Sequence, residues 1–364
     1  MESKQYLNSK IAFIHGRPSP HHSHAALANS VGAEFYFVDK YLRYHDLHKP
    51  AKMRQYMSWL LNSVLFPDAK SYDLFLTEGP HVTPVLMRQI GRLSKHQKIA
   101  ALMADQTLFF LKVNWYSKLT RRMLLNSLCR YDALVCLSQM QADIATDLLK
   151  HENSKINIFT ACELIGIERF NEFGGVSPCL DGNRLLFIGH GPSGWRIFYK
   201  GILTLLDTFS LIARKRRDAT LTIIGEWDSG FIKESIARMK YGADRVFFAG
   251  SQQNLVPFFE ASDLYLHLAN GDAFPVATLE ALRAGVPVIV SEWTGTREII
   301  TQIDERLVVP MDPMIASERI DWYFDLPIEV KQDLVSRGRM VMSNFSEDIV
   351  INRFRTAINN VLSL

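Results

Sequence analysis

The chain has 364 residues, 48% of them hydrophobic and 22% charged, the make-up of a soluble globular protein rather than a collagenous, disordered or disulfide-built one. That length suits two domains, each with a core of its own. The net charge of +3 hides an asymmetry: residues 1–177 hold 21 Lys/Arg against 15 Asp/Glu, and nine of the eleven histidines.

A basic first half points either to chance composition or to an anionic partner such as a phospholipid surface or a phosphorylated acceptor. Nothing in the pattern calls for nucleic acid. Cys129, Cys136, Cys162 and Cys179 form no CxxC pair and have no histidine at zinc-finger spacing, which fits a reducing compartment. The opening stretch MESKQYLNSKIAFIHGR has only the short apolar run IAFI, neither a signal peptide nor a span. A cytoplasmic chain is expected.

In chain order, short β-rich apolar runs alternate with helix-length segments. The first half offers strands at Ile11–Ile14, Glu34–Val38, Leu74–Leu76, Ile99–Met103, Ala133–Leu137 and Ile156–Phe159. The second offers Arg184–Ile188, Ala219–Ile224, Arg245–Phe248, Leu264–Leu268, Val286–Val290 and a weaker Leu307–Val309. Runs apolar on both faces read as parallel strands, and the alternation reads as βαβ units. The stretch NEFGGVSPCLDGN, 171–183, has glycines, a proline and no periodicity, so it reads as a linker. The expectation is α/β: two Rossmann-like doubly wound domains facing across a cleft, 1–175 and 176–345, with an amphipathic helix at 346–364 crossing back to the first. Ligands of such sheets lie beyond the carboxyl ends of the strands, where helix N-termini converge.

The first strand runs into GRPSPHHSH, which places Gly16, Arg17, His21, His22 and His24 in a loop before a helix. A histidine metal site would want a companion carboxylate at ligand spacing; with none nearby, these read as solvated loop histidines. No GxGxxG follows that strand, which disfavours a dinucleotide dehydrogenase.

Two segments of the second half carry more chemistry. RLLFIGHGPSGWRIFYKG, 184–201, is a strand, a Gly-rich turn and a Lys-Gly pair opening a helix. NGDAFPVATLEALRAGVPVIVSEWTGTREII, 270–300, is an acid-bearing loop, a helix from Pro275 to a stop at Gly285, a strand and a Gly turn. Proline at the first turn and glycine past the last are the expected punctuation. Free amides around Val276, Ala277 and Thr278 favour a phosphate. Asp272 and Glu280 could hold a hexose and a ribose on either side of one diphosphate, since carboxylates accept from vicinal hydroxyls.

The second segment resembles the paired-acid signature of retaining GT-B glycosyltransferases of glycosyltransferase family 4 (glycosyl transferases group 1), in its EGFPxxxLEA form. Phe274, Pro275, Leu279, Glu280, Ala281, Gly285, Pro287, Gly295 and Glu298 match; Asp272 stands for the usual Glu and Ala273 for the usual Gly. The resemblance implies that Asp272 holds the donor sugar and Glu280 the ribose. It implies that Lys200, with Arg196, neutralises the leaving diphosphate; His190 stands where the family's Arg would be. Gly250 ends a strand that flanks the base, and Gly16 lies in the loop near the donor phosphates. Asp105 takes the place of a His near the donor sugar, and is equally readable as a helix N-cap. Glu78, with His21, His22 and His24, would lie on the acceptor side. IGIERF, 165–170, stands where the family has NGVDxxxF.

The implied activity is glycosyl transfer with retention from a nucleoside-diphosphate sugar (UDP or GDP) to a glycan or lipid-linked hydroxyl acceptor. No cofactor is expected, and no metal, because the chain has no DxD triplet. Peripheral membrane contact is suggested by aromatics interleaved with Lys and Arg at 41–66 and 111–130. The rivals are a GT-B-like epimerase or phosphorylase, and a catalytically silent relative that binds nucleotide sugar or a protein.

Overall fold

The computed structural model describes residues 9–16, 19–38, 60–150, 155–191 and 194–364. Most of the stretch 41–66, and Arg17, lie outside the described residues. Among the described residues twelve strands form two parallel sheets of six, and each expected strand is present, with ends shifted by a residue or two.

The first sheet is built from β1 (Ile11–His15), β2 (Glu34–Phe37), β3 (Leu74–Glu78), β4 (Lys98–Met103), β5 (Ala133–Cys136) and β6 (Asn157–Thr160), in the order β2-β1-β3-β4-β5-β6. Burial explains the sequence pattern. The four inner strands are buried almost throughout, whereas the edge strands β2 and β6 are largely exposed. Inner parallel strands must be apolar on both faces because helices cover both. The order reverses direction beside β1, so the switch point of this sheet lies between β1 and β3.

The second sheet contains β7 (Arg184–Ile188), β8 (Thr220–Ile224), β9 (Val246–Gly250), β10 (Leu264–His267), β11 (Val288–Ser291) and β12 (Val308–Val309), in the order β12-β11-β10-β7-β8-β9. Its switch point lies between β7 and β10.

The chain divides into two compact units: the residues up to Leu164 together with Asp348–Leu364, and Ile165–Glu347. The division comes before the expected 175 because the helix Ile167–Gly174 belongs to the second unit. There Arg283 Nε donates to Phe170 O at 2.8 Å, and Phe173 packs edge-on against Phe259. The 171–183 stretch is likewise anchored: Asp263, fully buried, accepts from the amides of Gly182 and Arg184 and from the Arg184 guanidinium. The final helix, Glu347–Leu362, buries Val350, Phe354, Ile358 and Val361, a stripe at helical spacing. Arg355 fastens it to the first unit through Ser30 O at 3.0 Å.

Candidate functional site

In the second unit, Asp272 sits in the loop after β10, buried, and three side chains converge on its carboxylate. Tyr199 Oη donates to Oδ1 at 2.8 Å, Lys200 Nζ to Oδ2 at 2.6 Å, and His267 Nε2 lies 2.9 Å from Oδ2. Burial alone would raise this carboxyl, but the Lys200 charge and the His267 and Lys200 bonds override it and hold it well below the usual carboxylate range. Burial lowers His267 despite Asp272. Its imidazole is therefore neutral, donating from Nε2 to Asp272 while Nδ1 faces the Tyr265 hydroxyl at 3.2 Å. A carboxylate has about four lone-pair directions. Three are occupied here, so Asp272 offers one further acceptor site rather than the bidentate pair expected.

Local chain geometry delivers Lys200 to this point. Gly201 has φ +62°, and a Cβ on it would lie 1.6 Å from Leu268 O. The Lys-Gly pair thus lets the start of the helix Ile202–Lys215 press against the end of β10, where only glycine fits. Asn270 N, donating to Tyr199 O at 2.8 Å, ties the two segments again.

Glu280 lies in the helix Val276–Ala284, also buried. Burial pushes its carboxyl up, countered by Arg169, whose Nη1 donates to Oε1 at 2.7 Å. At the N-terminus of the same helix Thr278 N turns back onto Pro275 O at 3.1 Å, so it is not one of the free amides expected. Val276 and Ala277 are the half-exposed pair left there; Phe274 and Pro275 pack beneath.

The other expected residues are distributed around β7, β8 and β9. Gly189 N donates to Ile224 O, and Gly225 N to Gly250 O, which draws the three strand ends together. His190 is exposed and its Nδ1 accepts from Glu226 N at 3.1 Å. Arg196 lies in the helix Gly194–Tyr199 with its guanidinium 5.4 Å over the Trp195 ring, one helical turn before Lys200.

In the first unit His24 departs from the reading of solvated loop residues, whereas His22 is exposed and His21 half-buried. His22 opens the helix His22–Ser30, His21 is its N-cap, and His24 is buried. His24 Nδ1 lies 2.7 Å from Glu78 Oε1 at the end of β3, and Nε2 lies 2.8 Å from Glu163 Oε1. Burial would lower this imidazole, but Glu163 and Glu78 outweigh it and raise it to about 9, so both ring nitrogens carry protons at neutral pH. Burial lowers His21 to about 4. Glu163 was missed because it is 139 positions from His24. Gly16 follows β1, half-buried. Asp105 Oδ1 accepts from Thr107 N at 3.0 Å, one residue ahead of Gln106, which is the N-cap of the helix Thr107–Lys112.

The sequence motifs mark Asp272, Glu280 and Lys200, and the structure adds the partners that hydrogen-bond to the two acids: Tyr199, His267 and Arg169. Two of the three had a local signal: Tyr199 adjoins Lys200, and His267 closes the strand before Asp272. Arg169 lies within IGIERF, singled out only as a segment.

Known proteins resemble this chain in part of its sequence and in its fold. Residues 182–324 match the family described as Glycosyl transferases group 1. The chain is 26% identical over 148 residues to N-acetyl-alpha-D-glucosaminyl L-malate synthase of Bacillus anthracis, which is 40% of this chain and 38% of that one. It is 30% identical over 87 residues, 23% of this chain and 24% of the other, to the lipopolysaccharide core biosynthesis mannosyltransferase LpsB of Rhizobium meliloti. The chain thus spans about a quarter to two fifths of the length of these curated relatives. Among solved structures, Anabaena HepE in complex with UDP and glucose superposes with a TM-score of 0.68 at 16% identity, over 98% of this chain and all of that one. An E. coli protein solved with UDP-2-fluoro glucose gives 0.71 at 11% identity, over 98% and 99%. Residues 182–324 thus carry the match to the glycosyl transferases group 1 family, in a chain whose two parallel sheets have the GT-B fold.

Proposed function

We propose that the chain is a retaining glycosyltransferase that moves a sugar from a nucleoside-diphosphate sugar to a hydroxyl acceptor. The observation that carries this reading is the buried Lys200–Asp272 pair with Glu280 on the helix that follows. In the proposed reaction the acceptor oxygen bonds to the anomeric carbon from the face that the diphosphate leaves. The bond from that carbon to the diphosphate oxygen breaks, and the acceptor proton passes to the departing diphosphate.

Each residue has a role set by its surroundings. Asp272 stays ionised and accepts one sugar hydroxyl. Lys200 gives one of its three protons to Asp272 and has two left for diphosphate oxygens, so it need not leave its partner. Arg196, one turn earlier, adds a second cation, and the amides of Val276 and Ala277 add helix-terminus donors. Glu280, positioned by Arg169, receives the ribose. These cations do the charge work at the diphosphate, so the transfer itself is proposed to need no metal there. UDP is the preferred nucleotide, on the likeness to folds solved with UDP and glucose and with UDP-2-fluoro glucose.

A lipid-linked acceptor met at a membrane's cytoplasmic face is supported by one surface. Around the helix Lys118–Leu128, Val113, Trp115, Leu119 and Met123 are exposed large apolar groups interleaved with Lys112, Lys118, Arg121 and Arg122. Such a face suits interfacial contact; no helix among the described residues is long and apolar enough to cross a membrane.

The test is thermal stability with UDP-, GDP- and ADP-sugars for wild type, Glu280→Ala and Lys200→Ala, followed by NMR of the product anomer. A donor at a hundred times its Kd should stabilise by about 2.7 kcal/mol, and both variants should lose the shift. No shift and no donor turnover, with acceptors present and EDTA absent, would leave the silent-relative reading in its place.

A further inference from the structure

The histidine–glutamate cluster of the first unit is not used by the proposed transfer. Its place is the carboxyl edge of the first sheet, beside the switch point between β1 and β3, where α/β sheets hold ligands. Three separate pieces of chain build it: the turn into the helix His22–Ser30, the end of β3, and the buried segment 161–165 after β6. Leu164 N, donating to Ser23 Oγ at 3.0 Å, pins that last segment against the helix.

One ligating atom each from His21, His24 and Glu163 lies within 4.8 Å of the other two. The rings of His21 and His24 are 4.8 Å apart between centroids. Two polar atoms in this group, His21 Nδ1 and Glu163 Oε2, are buried without a hydrogen-bond partner of good geometry, and the Ser23 hydroxyl is a neighbour that also acts on the Glu163 carboxylate. Buried polar atoms are almost always satisfied, and Glu163 as a whole is only 6% exposed. The orphaned pair therefore points to something these residues are shaped to hold.

The hydrogen bond behind His24 fits a cation. A metal-binding imidazole usually donates its other ring N–H to a carboxylate, which fixes its tautomer and orientation. Glu78 does this at Nδ1, which turns Nε2 towards Glu163. Nε2 and Oε1 are 2.8 Å apart, a distance set by a shared proton. Ligands around Zn²⁺, at about 2.0–2.1 Å from the ion and in tetrahedral directions, stand about 3.3 Å apart. Exchange of the proton for the ion needs the His24–Glu163 pair to open by a few tenths of an ångström, or the unpaired Oε2 to rotate into the site, and the His21 ring to close from as far as 4.8 Å by about 1.5 Å.

We propose that His21, His24 and Glu163 form a binding site for a divalent transition-metal ion of the Zn²⁺ type, with Glu78 holding His24 from behind. Two imidazole nitrogens and one carboxylate oxygen suit such an ion and leave a fourth position for water or another hydroxyl. On binding, the ion displaces the proton on His24 Nε2, which leaves to the buffer. All four residues belong to the first unit, whereas Lys200, Asp272 and Glu280 belong to the second. The two sets of residues thus lie in different units of the chain.

The experiment uses the untagged full chain, stripped with EDTA and dialysed free of it. Zn²⁺ is titrated in competition with a chromophoric chelator, and Co²⁺ is titrated with its visible absorption recorded. One equivalent of Co²⁺ should give a tetrahedral-type spectrum that Zn²⁺ abolishes. His21→Ala and Glu163→Gln should each weaken Zn²⁺ binding at least about tenfold, and Glu78→Gln should weaken it while keeping the Co²⁺ band. His96→Ala, at an exposed histidine, should change nothing. His21 is half-buried, so its variant keeps the test open if Glu163→Gln does not fold. Absence of stoichiometric binding to the wild-type chain, or binding equally strong in folded His21→Ala, would overturn the proposal.

Discussion

Lys200 and Asp272 are 2.6 Å apart with side chains only 16% and 8% exposed, so they should behave as one energetic unit. At that distance and an effective dielectric of about 20, their attraction is about 6 kcal/mol before desolvation is subtracted. Loss of one partner from a buried pair costs about 3–5 kcal/mol, because the other charge is stranded. Lys200→Met should fall at the low end, about 3 kcal/mol, because Tyr199 and His267 still donate to Asp272. Asp272→Asn should cost less, about 1–2 kcal/mol, since Lys200 can turn its ammonium towards solvent. With no charge left to strand, the double variant should recover about 2 kcal/mol relative to the sum of the singles. In a unit of this size 1 kcal/mol moves Tm by about 2–4 °C, so calorimetry near pH 7.5 should show Lys200→Met melting about 6–12 °C lower. The acid limb gives a second check. Asp272 is depressed in the native chain, so its contribution is complete above its unfolded value and is lost only as pH falls through the lower native one. Without Lys200 that loss should begin at higher pH. Additivity of the two single variants to within about 0.5 kcal/mol would refute the coupling.

Gly201→Ala should cost more than about 2 kcal/mol and abolish transfer, since its Cβ meets Leu268 O. Gly250→Ala, with φ +68° but nothing within 4 Å of the added carbon, should cost only about 1–2 kcal/mol by urea denaturation. For the metal-free first unit, the two histidines set opposite pH limbs. His24, raised from 6.5 to about 9, stabilises fully below pH 6.5 and loses that contribution as pH rises towards 9. His21, lowered to about 4, stabilises above pH 6.5 and loses it as pH falls towards 4. Stability in EDTA should therefore peak near pH 6.5, and His24→Gln should flatten the alkaline limb.

The strands were legible because inner parallel strands are apolar on both faces, and runs of about four or five β-rich residues bounded by turn signals are too short for helices. Even the edge strands were found, since β2 and β6 keep β-rich sequences while exposing them. The domain boundary was less so. Glycines and a proline at 171–183 look like a tether, yet Phe173, Val176 and Leu180 are buried. Composition cannot tell a free linker from one whose few apolar side chains find a core. The histidines failed for a related reason. HHSH has the polarity of a loop, and Ser23 and His24 are buried at this helix terminus beside the returning segment 161–165.

The missed residues share a physical property: most are partners of a buried charge. Once Asp272 and Glu280 are placed on a buried βα turn, each needs donors, because an unpaired buried carboxylate costs too much to persist. Lys200 was found by its motif, but Glu280 left an unanswered demand for a cation, and Arg169 in IGIERF was the cation beside a segment already singled out. The same logic runs in reverse at His24. An imidazole between two carboxylates draws positive charge, as a proton on the ring or a cation in its place, and Oε2 and Nδ1 beside it have room in their bonding for the latter. Charge balance at buried sites reaches across the 111 and 139 positions that separate these partners. Periodicity and motif spacing, which act within one βα unit, cannot.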